Sequence, residues 1–280
     1  MKKLFAGFWI GEFGWELMTW IPHVRAIAKN YDYVIVGCKP GHEPLYEFAD
    51  EFVTFDYSGA KAEQWMNEPY RVESDKKGAA IVRANHNFKK PNNDESHWID
   101  PAREYSYSMK THAQWLTGLQ PQEFKKYGDL QYPKYDIILN VRNRTVHDSS
   151  FRNWDVQHAE EFVARFPDKI IACIGTKEQS MPIPNTENYL GFPQDRVNGL
   201  LSNAKVFVSS INGATHLASL CGCPQVAWVT KPDHKERLEK TWNPFNTPTR
   251  IFLSPDGYWK NRTQWHPPVD ALVKVVKELL

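Results

Sequence analysis

Short apolar runs alternate with stretches of helical periodicity along the first part of this 280-residue chain. Residues 3–10, 32–37 and 51–56 are rich in β-branched and aromatic side chains, and 78–83 is a fourth run of this kind. Between the first two runs, apolar residues recur at helical spacing from Leu17 to Ala28. Strands separated by helices in this way are typical of a parallel sheet with right-handed crossovers. The pattern therefore predicts an α/β domain.

The alternation is clearest from residue 135 to residue 280. It predicts six strands, at 135–141, 168–174, 187–191, 205–209, 224–229 and 249–253. It predicts helices that begin after Asp155, near 195, near 213 and at 269. These elements make a second doubly wound α/β domain.

The stretch between residues 84 and 133 follows neither period. Prolines, asparagines and charged residues interrupt it, so we expect irregular, substrate-facing structure there with one helix near 105–118. A domain boundary is expected close to Pro133, which gives predicted domains at 1–133 and 134–280. The last helix could pack back on the N-terminal domain.

Composition and charge narrow the class of protein. The chain has 34 Lys and Arg against 33 Asp and Glu, so no broad basic field for nucleic acid is expected, although a local patch is possible. No apolar run approaches the roughly 18–20 residues that span a bilayer, and Glu12 and Glu16 interrupt the apolar start. The four cysteines lack zinc-finger spacing. We therefore expect reduced thiols, no stable membrane insertion and a cytoplasmic protein.

Three turns at the carboxyl ends of predicted strands are candidates for chemistry, because ligands of open α/β sheets bind there. The first turn follows strand 205–209 and contains the candidate anion-binding residues Asn212, Gly213, Ala214, Thr215 and His216. Small residues let the backbone approach an anion, and the helix start supplies about half a positive charge. The alternative is that the turn only reverses the chain and that His216 packs in the interior.

The second turn follows strand 135–141 and carries three arginines, Arg142, Arg144 and Arg152. Arginine grips phosphate groups with two parallel hydrogen bonds, and the nearby Trp154 could stack on a ring of the ligand. The alternative is that these are ordinary surface arginines. If this turn lies beside the first, the two predict a cationic phosphate cleft.

The third turn follows the first strand and contains Gly11, Glu12, Gly14 and Glu16. The glycines allow a ligand to pass close to the backbone. A single carboxylate is enough for a general base that accepts a proton from an attacking hydroxyl. The alternative is a solvated turn followed by a charged first helical turn.

Other motifs argue against metal, hydrolase and dinucleotide chemistry. The sequence has no D-x-D motif and no zinc-spaced histidines, so we expect a metal-independent site whose anionic leaving group is stabilised by the helix start and arginine. It also lacks G-x-S-x-G, P-loop and G-x-G-x-x-G motifs. No cofactor is expected.

Four further stretches are candidates for substrate contact. Residues 86–90 and 105–112 combine basic and aromatic groups in the first predicted domain. Residues 231–234 and 242–245 follow the last strands and could border a nucleotide site. For each stretch, the alternative is a polar loop with buried aromatic anchors.

Several of these motifs resemble those of a known family. Residues 142–144 with 151–154 look like the strand-loop-helix of glycosyltransferases with two Rossmann-like domains (the GT-B class), and most of all like the ADP-heptose transferases. Residues 212–218 resemble the T-G-x-x-H-L-A donor motif of that group, and 223–228 resemble its T-P-V-V-A-L strand. Residues 14–25 resemble the G-D-x-x-x-x-x-P-x-x-R segment of its first domain.

This chain departs from the family motifs at two positions that concern the candidate site. Ile211 stands where the family usually has an acidic residue before the donor motif. Trp15 stands where the family's catalytic aspartate follows a glycine, whereas alignment on Pro22 matches that aspartate with Glu16. Glu16 and Glu12 are therefore rival catalytic bases, and the alignment favours Glu16.

The resemblance implies two facing Rossmann-like, doubly wound parallel-sheet domains, of which 1–133 would be the acceptor side and 134–280 would bind the nucleotide sugar. It implies a glycosyltransferase that moves a sugar from a nucleotide diphosphate sugar to an acceptor hydroxyl, without a metal and with inversion. The acceptor would be a glycan or a hydroxymethylated DNA base. The alternatives are a nucleotide-sugar epimerase, which would need no acceptor, and a non-catalytic nucleotide-sugar binding protein.

Overall fold

The computed structural model describes residues 1–9, 11–54, 96–101, 112–128, 131–144, 150–255 and 263–280. The chain divides into two compact units, Met1–Lys125 and Lys126–Leu280. Both are built on parallel sheets, which confirms the predicted α/β class. Within the described ranges, no helix is long and apolar enough to cross a membrane.

The first unit contains a four-stranded sheet. Its strands are β1 (Lys3–Ala6), β2 (Tyr33–Cys38), β3 (Glu51–Thr54) and β4 (Ser96–Ile99). They lie side by side in the order β3-β2-β1-β4, and every pair is parallel. The predicted strand at 78–83 lies outside the described residues.

Strand β4 corrects the expectation that residues 84–133 are irregular apart from one helix. Its sequence begins with Ser96 and His97, so it lacks the apolar run by which the other strands are recognised. It forms because β1 offers a free edge, where Leu4 pairs with His97 and Phe5 with Trp98. A strand that forms mainly through pairing with its neighbour is hard to recognise from its own sequence.

The helical segment after β1 has three parts, namely α1 (Phe13–Trp15), a π-helix (Glu16–Trp20) and α2 (Ile21–Ala28). The hydroxyl of Thr19 donates to the carbonyl of Trp15 over 2.6 Å within the wider turn. Pro22 lies in the first turn of α2, where its missing N–H is tolerated. The unit also contains a 3₁₀ helix (Glu43–Tyr46) and α3 (His112–Thr117), which is the described part of the helix predicted near 105–118.

The second unit contains a six-stranded parallel sheet, and each of its predicted strands is confirmed. The strands are β5 (Ile137–Asn140), β6 (Ile171–Gly175), β7 (Glu187–Leu190), β8 (Val206–Ser210), β9 (Gln225–Val229) and β10 (Thr249–Leu253). Their order is β10-β9-β8-β5-β6-β7. Strands β6 and β7 follow on one side of β5, and β8, β9 and β10 follow on the other side. The strand order therefore reverses between β5 and β8.

The helices of the second unit are α4 (Val156–Ala164), α5 (Gln194–Ser202), α6 (Gly213–Cys221), α7 (Pro232–Glu236) and α8 (Val269–Lys277), with a 3₁₀ helix (Ser150–Arg152) and a π-helix (Arg237–Thr241). The carboxylate of Asp155 accepts from the backbone N–H of His158 over 3.0 Å, which confirms the predicted start of α4. Helices α4 and α8 bury their apolar faces in one core with the sheet. All four cysteines are buried free thiols.

Candidate functional site

Two of the predicted turns leave adjacent strands at the point where the strand order of the second unit reverses. The hydroxyl of Ser209, in β8, donates to the backbone carbonyl of Asn140, in β5, over 2.8 Å. The amide nitrogen of Asn212 donates to Oδ1 of Asn140 over 2.9 Å. Ligands of doubly wound sheets bind at such a reversal. The structure therefore brings together the turn after β5, with Arg142 and Arg144 (the arginine turn), and the turn after β8, with Asn212 and Gly213 (the Asn-Gly turn). Both lie at the carboxyl ends of the strands, which we call the sheet edge of the site.

The start of α6 is capped by side chains of the turn itself. Oδ1 of Asn212 accepts from the backbone N–H of Ala214 over 2.7 Å, and the hydroxyl of Thr215 donates to the carbonyl of Asn212 over 2.6 Å. Thr215 is completely buried, whereas Gly213 and Ala214 keep part of their surface. The side chains of Asn212 and Thr215 thus hold the helix start in place, and a ligand would meet the backbone of Gly213 and Ala214.

The arginine turn is held by Asn153. Oδ1 of Asn153 accepts from a terminal guanidinium nitrogen of Arg142 over 2.5 Å and from the backbone N–H of Arg144 over 2.9 Å. Its amide nitrogen donates to the carbonyl of Arg144 over 3.0 Å. Arg142 is buried, while Arg144 is half-buried. The sequence-based candidates did not include Asn153, because its bridge to Arg142 and Arg144 forms only when the turn closes.

Trp154 corrects the expectation that it stacks on a ligand. Its ring is buried, with its centroid 4.8 Å from that of Trp228 and 5.9 Å from that of Phe162. Its ring nitrogen donates to Nδ1 of His158 over 2.8 Å. The residue directly precedes the Asp155 cap, and its side chain fills the core between α4 and the sheet. Trp154 is therefore part of the interior.

His216 lies buried among positively charged residues. Burial lowers its pKa well below the ordinary value, and the positive charges of Arg237, His234 and Arg152 lower it further. The centroid of its ring lies 4.7 Å from that of Trp242 in an edge-on contact. His216 is therefore neutral near neutral pH, and its surroundings favour an anion.

Arg237 extends this positive region, and His234 lies beside it. Burial, followed by the charge of Arg237, lowers the pKa of His234. The guanidinium of Arg237 lies 4.6 Å from the ring centroid of Trp242. His234 belongs to the stretch 231–234 that was expected to border a nucleotide site, whereas Arg237 lies on the following π-helix, outside every predicted stretch.

Several polar atoms at this sheet edge are buried without a hydrogen-bond partner in the described part of the chain. They include Nε of Arg144, Nδ1 of His216, Nδ1 of His234 and the hydroxyl of Ser210. Buried polar atoms in native proteins are almost always satisfied, so these groups are suited to bind a polar ligand or water. The positive charges around them favour an anionic group.

The third turn lies in the first unit, and its two carboxylates have different surroundings. Glu12 is half-exposed, and its backbone carbonyl accepts from the N–H groups of Trp15 and Glu16, each over 3.1 Å. Gly11 and Gly14 are buried beside it. The side chain of Glu12 is therefore the more accessible of the two predicted bases.

Glu16 is only 1% exposed. The hydroxyl of Tyr46 donates to Oε1 of Glu16 over 2.8 Å, and Nδ1 of His42 lies 3.2 Å from Oε2. Burial by itself raises the pKa of Glu16, but His42, Lys39 and Tyr46 outweigh burial and hold the pKa below its ordinary value. Glu16 is thus an ionised interior carboxylate.

The remaining predicted substrate contacts are only partly within the described ranges. Residues 86–90 and 105–111 lie outside them. In the ranges that the structure does describe, no group of three or more His, Cys, Asp or Glu residues is arranged to hold a metal ion. Metal independence stays a prediction.

Comparison with solved structures identifies the fold. Heptosyltransferase II from E. coli, an ADP-heptose lipopolysaccharide enzyme, superposes with a TM-score of 0.60 at 14% identity, covering 100% of this chain and 98% of that one. A glycosyl transferase of family 9 from Veillonella parvula gives a TM-score of 0.57 at 12% identity, covering 99% and 97%. The resemblance to the ADP-heptose transferases is confirmed at the level of the fold.

A more distant similarity concerns a metal-containing protein. The iron-containing dodecameric glycosyltransferase TibC from enterotoxigenic E. coli gives a TM-score of 0.50 at 16% identity, covering 99% of this chain and 75% of that one. No protein-family model matches the chain, and no curated protein sequence matches it. The arrangement of the two units and the roles of the site residues stay predictions.

Proposed function

We propose that this protein is a glycosyltransferase that moves a sugar from a nucleoside-diphosphate sugar to an acceptor hydroxyl. The observation that carries the proposal is the group of unpartnered, positively surrounded polar atoms at the strand-order reversal of the second unit. Nε of Arg144 and Nδ1 of His216 are two of these atoms. A diphosphate supplies the negative charge and the acceptor oxygens that such groups need.

In this proposal, the donor diphosphate binds to the backbone of Gly213 and Ala214 and to the side chains of Arg144 and Arg152. The dipole of α6 favours an anion at its first turn. Arg142 acts together with Asn153, which sets the shape of the turn. His216 offers a neutral ring nitrogen to the diphosphate or the ribose.

The same groups would stabilise the leaving group. As the bond between the anomeric carbon and the diphosphate breaks, negative charge grows on the diphosphate, and fixed positive groups lower the energy of that state. We infer that the reaction needs no metal ion. A single displacement assisted by one base in the first unit, where Glu12 and Glu16 lie, would invert the anomeric carbon.

The acceptor is proposed to be a glycan or a hydroxymethylated DNA base. The net charge of +1 offers no general attraction to the DNA backbone. A DNA acceptor would therefore need a local basic patch. DNA binding that weakens steeply with added salt would favour this acceptor over a neutral glycan.

The first test is a thermal-shift screen with ADP, UDP, GDP and CMP and with ADP-glucose and UDP-glucose. A ligand that binds the folded state raises the melting temperature once its concentration exceeds the dissociation constant. We expect one nucleoside diphosphate to raise it, and ADP is tried first because E. coli heptosyltransferase II is an ADP-heptose enzyme. No shift with any member of the panel would contradict the proposal.

The second test separates transfer from its alternatives. A transferase consumes the nucleotide sugar that binds and links the sugar to the acceptor. An epimerase converts the sugar with no acceptor present, and a binding protein leaves it unchanged. Mass spectrometry of the products with and without glycan or hydroxymethylated DNA distinguishes the three.

A further inference from the structure

A tight turn places His42 at the carboxyl end of β2, next to the end of β1 in the sheet. The backbone N–H of His42 donates to the carbonyl of Lys39 over 3.0 Å. Pro40 and Gly41 occupy the two central positions, and Gly41 has a φ of +86°. A β-turn with a positive φ at its second central position favours proline at the first central position and needs glycine at the second. The Pro-Gly pair therefore fixes the place of His42 through the backbone.

His42 meets the segment that follows β1. Its Nδ1 lies 3.2 Å from Oε2 of Glu16 and 3.3 Å from Oε1. Its ring centroid lies 5.2 Å from that of Phe13. Because an ionised carboxylate only accepts hydrogen bonds, Nδ1 of His42 is the donor to Glu16, and Nε2 is the ring nitrogen left to accept a proton.

His42 and Glu16 differ in how far they are exposed to solvent. The side chain of His42 is 19% exposed, whereas that of Glu16 is 1% exposed. Glu16 is occupied by Tyr46 on one side and His42 on the other. No described residue bonds Nε2 of His42. An acceptor hydroxyl has to come within about 3 Å of the base that takes its proton. Of these two side chains, His42 is the one that a substrate can reach.

We propose that His42 is the general base of the transfer reaction and that Glu16 is a positioning residue that holds the His42 ring and stabilises its charged form. The proposal rests on the proposed glycosyltransferase function. It reassigns the role of Glu16, which the alignment with the family made a base in direct contact with the acceptor.

The step balances without a further reactant. The proton of the acceptor hydroxyl moves to Nε2 of His42, and the freed oxygen lone pair forms a bond to the anomeric carbon. The bond from that carbon to the diphosphate oxygen breaks, and its electron pair leaves with the nucleoside diphosphate. The resulting imidazolium faces the Glu16 carboxylate, which stabilises the positive charge.

Two experiments on the 280-residue chain test this assignment. The first measures release of ADP or UDP from ADP-glucose or UDP-glucose, with water as the acceptor, in wild type, His42→Asn, Glu16→Gln and Glu12→Gln. His97→Asn is the matched control, because His97 is an exposed histidine of the same unit. The second records long-range ¹H–¹⁵N spectra of the histidine rings, in which the His42 signals are those that His42→Asn removes.

We expect His42→Asn to lower turnover at least about 100-fold, the usual contribution of a general base, and Glu16→Gln to lower it at least about tenfold, because the imidazolium loses its counter-charge. The dissociation constant for ADP should stay within about twofold in both variants, since donor binding is assigned to the second unit. In the spectra, wild-type His42 should carry its proton on Nδ1, and Glu16→Gln should shift both ring nitrogens.

Two results would overturn the assignment. One is turnover of His42→Asn within about threefold of wild type, above all if Glu12→Gln loses far more. The other is a proton on Nε2 of wild-type His42 at neutral pH, because that nitrogen could not then accept one. The spectra need no donor, so they decide the role of His42 even if the wild type releases no nucleotide, a result that would count against the proposed function instead.

Discussion

The side-chain nitrogen of Asn212 donates to Oδ1 of Asn140 over 2.9 Å, which joins the start of α6 to the end of β5. The two hydrogens of this nitrogen are shared with the hydroxyl of Ser209 and the carbonyl of Ser210, which lie 2.8 and 2.9 Å from it. One amide group therefore organises the sheet edge at which the arginine turn lies. The first prediction concerns this group.

Asn212→Ala removes both the helix cap and the bridge to Asn140. We expect the free energy of unfolding to fall by about 2 kcal/mol, the upper end of the range for a lost cap, because the bridge is lost as well. Urea denaturation measures the change. Asn30→Ala is the control, because Asn30 is exposed and makes only a local bond to Ile27. Equal losses in the two variants would contradict the role given to Asn212.

Arg144→Gln should weaken ADP binding about tenfold or more, because a charge-assisted hydrogen bond to phosphate contributes about 1.5–3 kcal/mol. Isothermal titration calorimetry measures the dissociation constant. Arg165→Gln is the matched control in the same unit, because Arg165 ends α4 just before β6 and pairs with Asp270, at the opposite edge of the sheet. If both variants bind ADP equally well, Arg144 does not contact the diphosphate.

His216 should make stability depend on pH. Burial and the neighbouring positive charges lower its pKa in the folded state, so below about pH 6.5 the unfolded chain binds a proton that the folded chain does not. The free energy of unfolding should therefore fall as pH drops, and the share of His216 is at most about 1.4 kcal/mol per pH unit.

His216→Asn should reduce that slope between about pH 7 and pH 5. It should not abolish the slope, because burial also lowers the pKa of His23 and His158. Urea denaturation at several pH values measures the slopes of both proteins. An unchanged slope in the variant would show that the depressed pKa does not belong to His216.

Gly175→Ala should disturb the site, because Gly175 ends β6, the strand next to β5. Gly175 has a φ of +140°, and an added Cβ would lie 2.2 Å from Oγ of Ser180 and 2.5 Å from Nδ2 of Asn140. We expect a loss of stability of about 3 kcal/mol or more and weaker ADP binding, since Asn140 supports Asn212.

Gly41→Ala is the matched comparison for the stability measurement. Gly41 also has a positive φ, of +86°, but nothing lies within 4 Å of an added Cβ. Its substitution should cost only the backbone strain, about 1–2 kcal/mol. If Gly175→Ala is no less stable than Gly41→Ala, the contact between residue 175 and Asn140 does not matter.

Much of the second unit could be predicted from the sequence because its signals are local. Four of its six strands, β5, β6, β8 and β9, are buried and largely apolar, and the ends of β10 match the predicted bounds, Thr249–Leu253. Asp155 and Asn212 are cap residues placed directly before apolar helical repeats. Each of these signals depends on neighbours within a few residues, so the pattern along the chain is sufficient.

The features that the sequence analysis predicted wrongly or missed depend instead on contacts formed only in the folded chain. Strand β4 exists because β1 accepts it as a partner, and the apolar side chain of Trp154 fills the core although its neighbours are polar. Asn153 was missed because its role is visible only when the arginine turn closes on it.

The sequence by itself determined the class of fold, the limits of most elements and the turns at which chemistry was expected, since these follow from periodicity, capping and turn residues. Only the tertiary structure decided which side chains meet. Glu16 contacts His42 and Tyr46, 26 and 30 residues further along the chain. Parallel strands that are neighbours in the sheet are separated in the sequence by whole helices, so contacts at their common edge leave no trace in the local pattern.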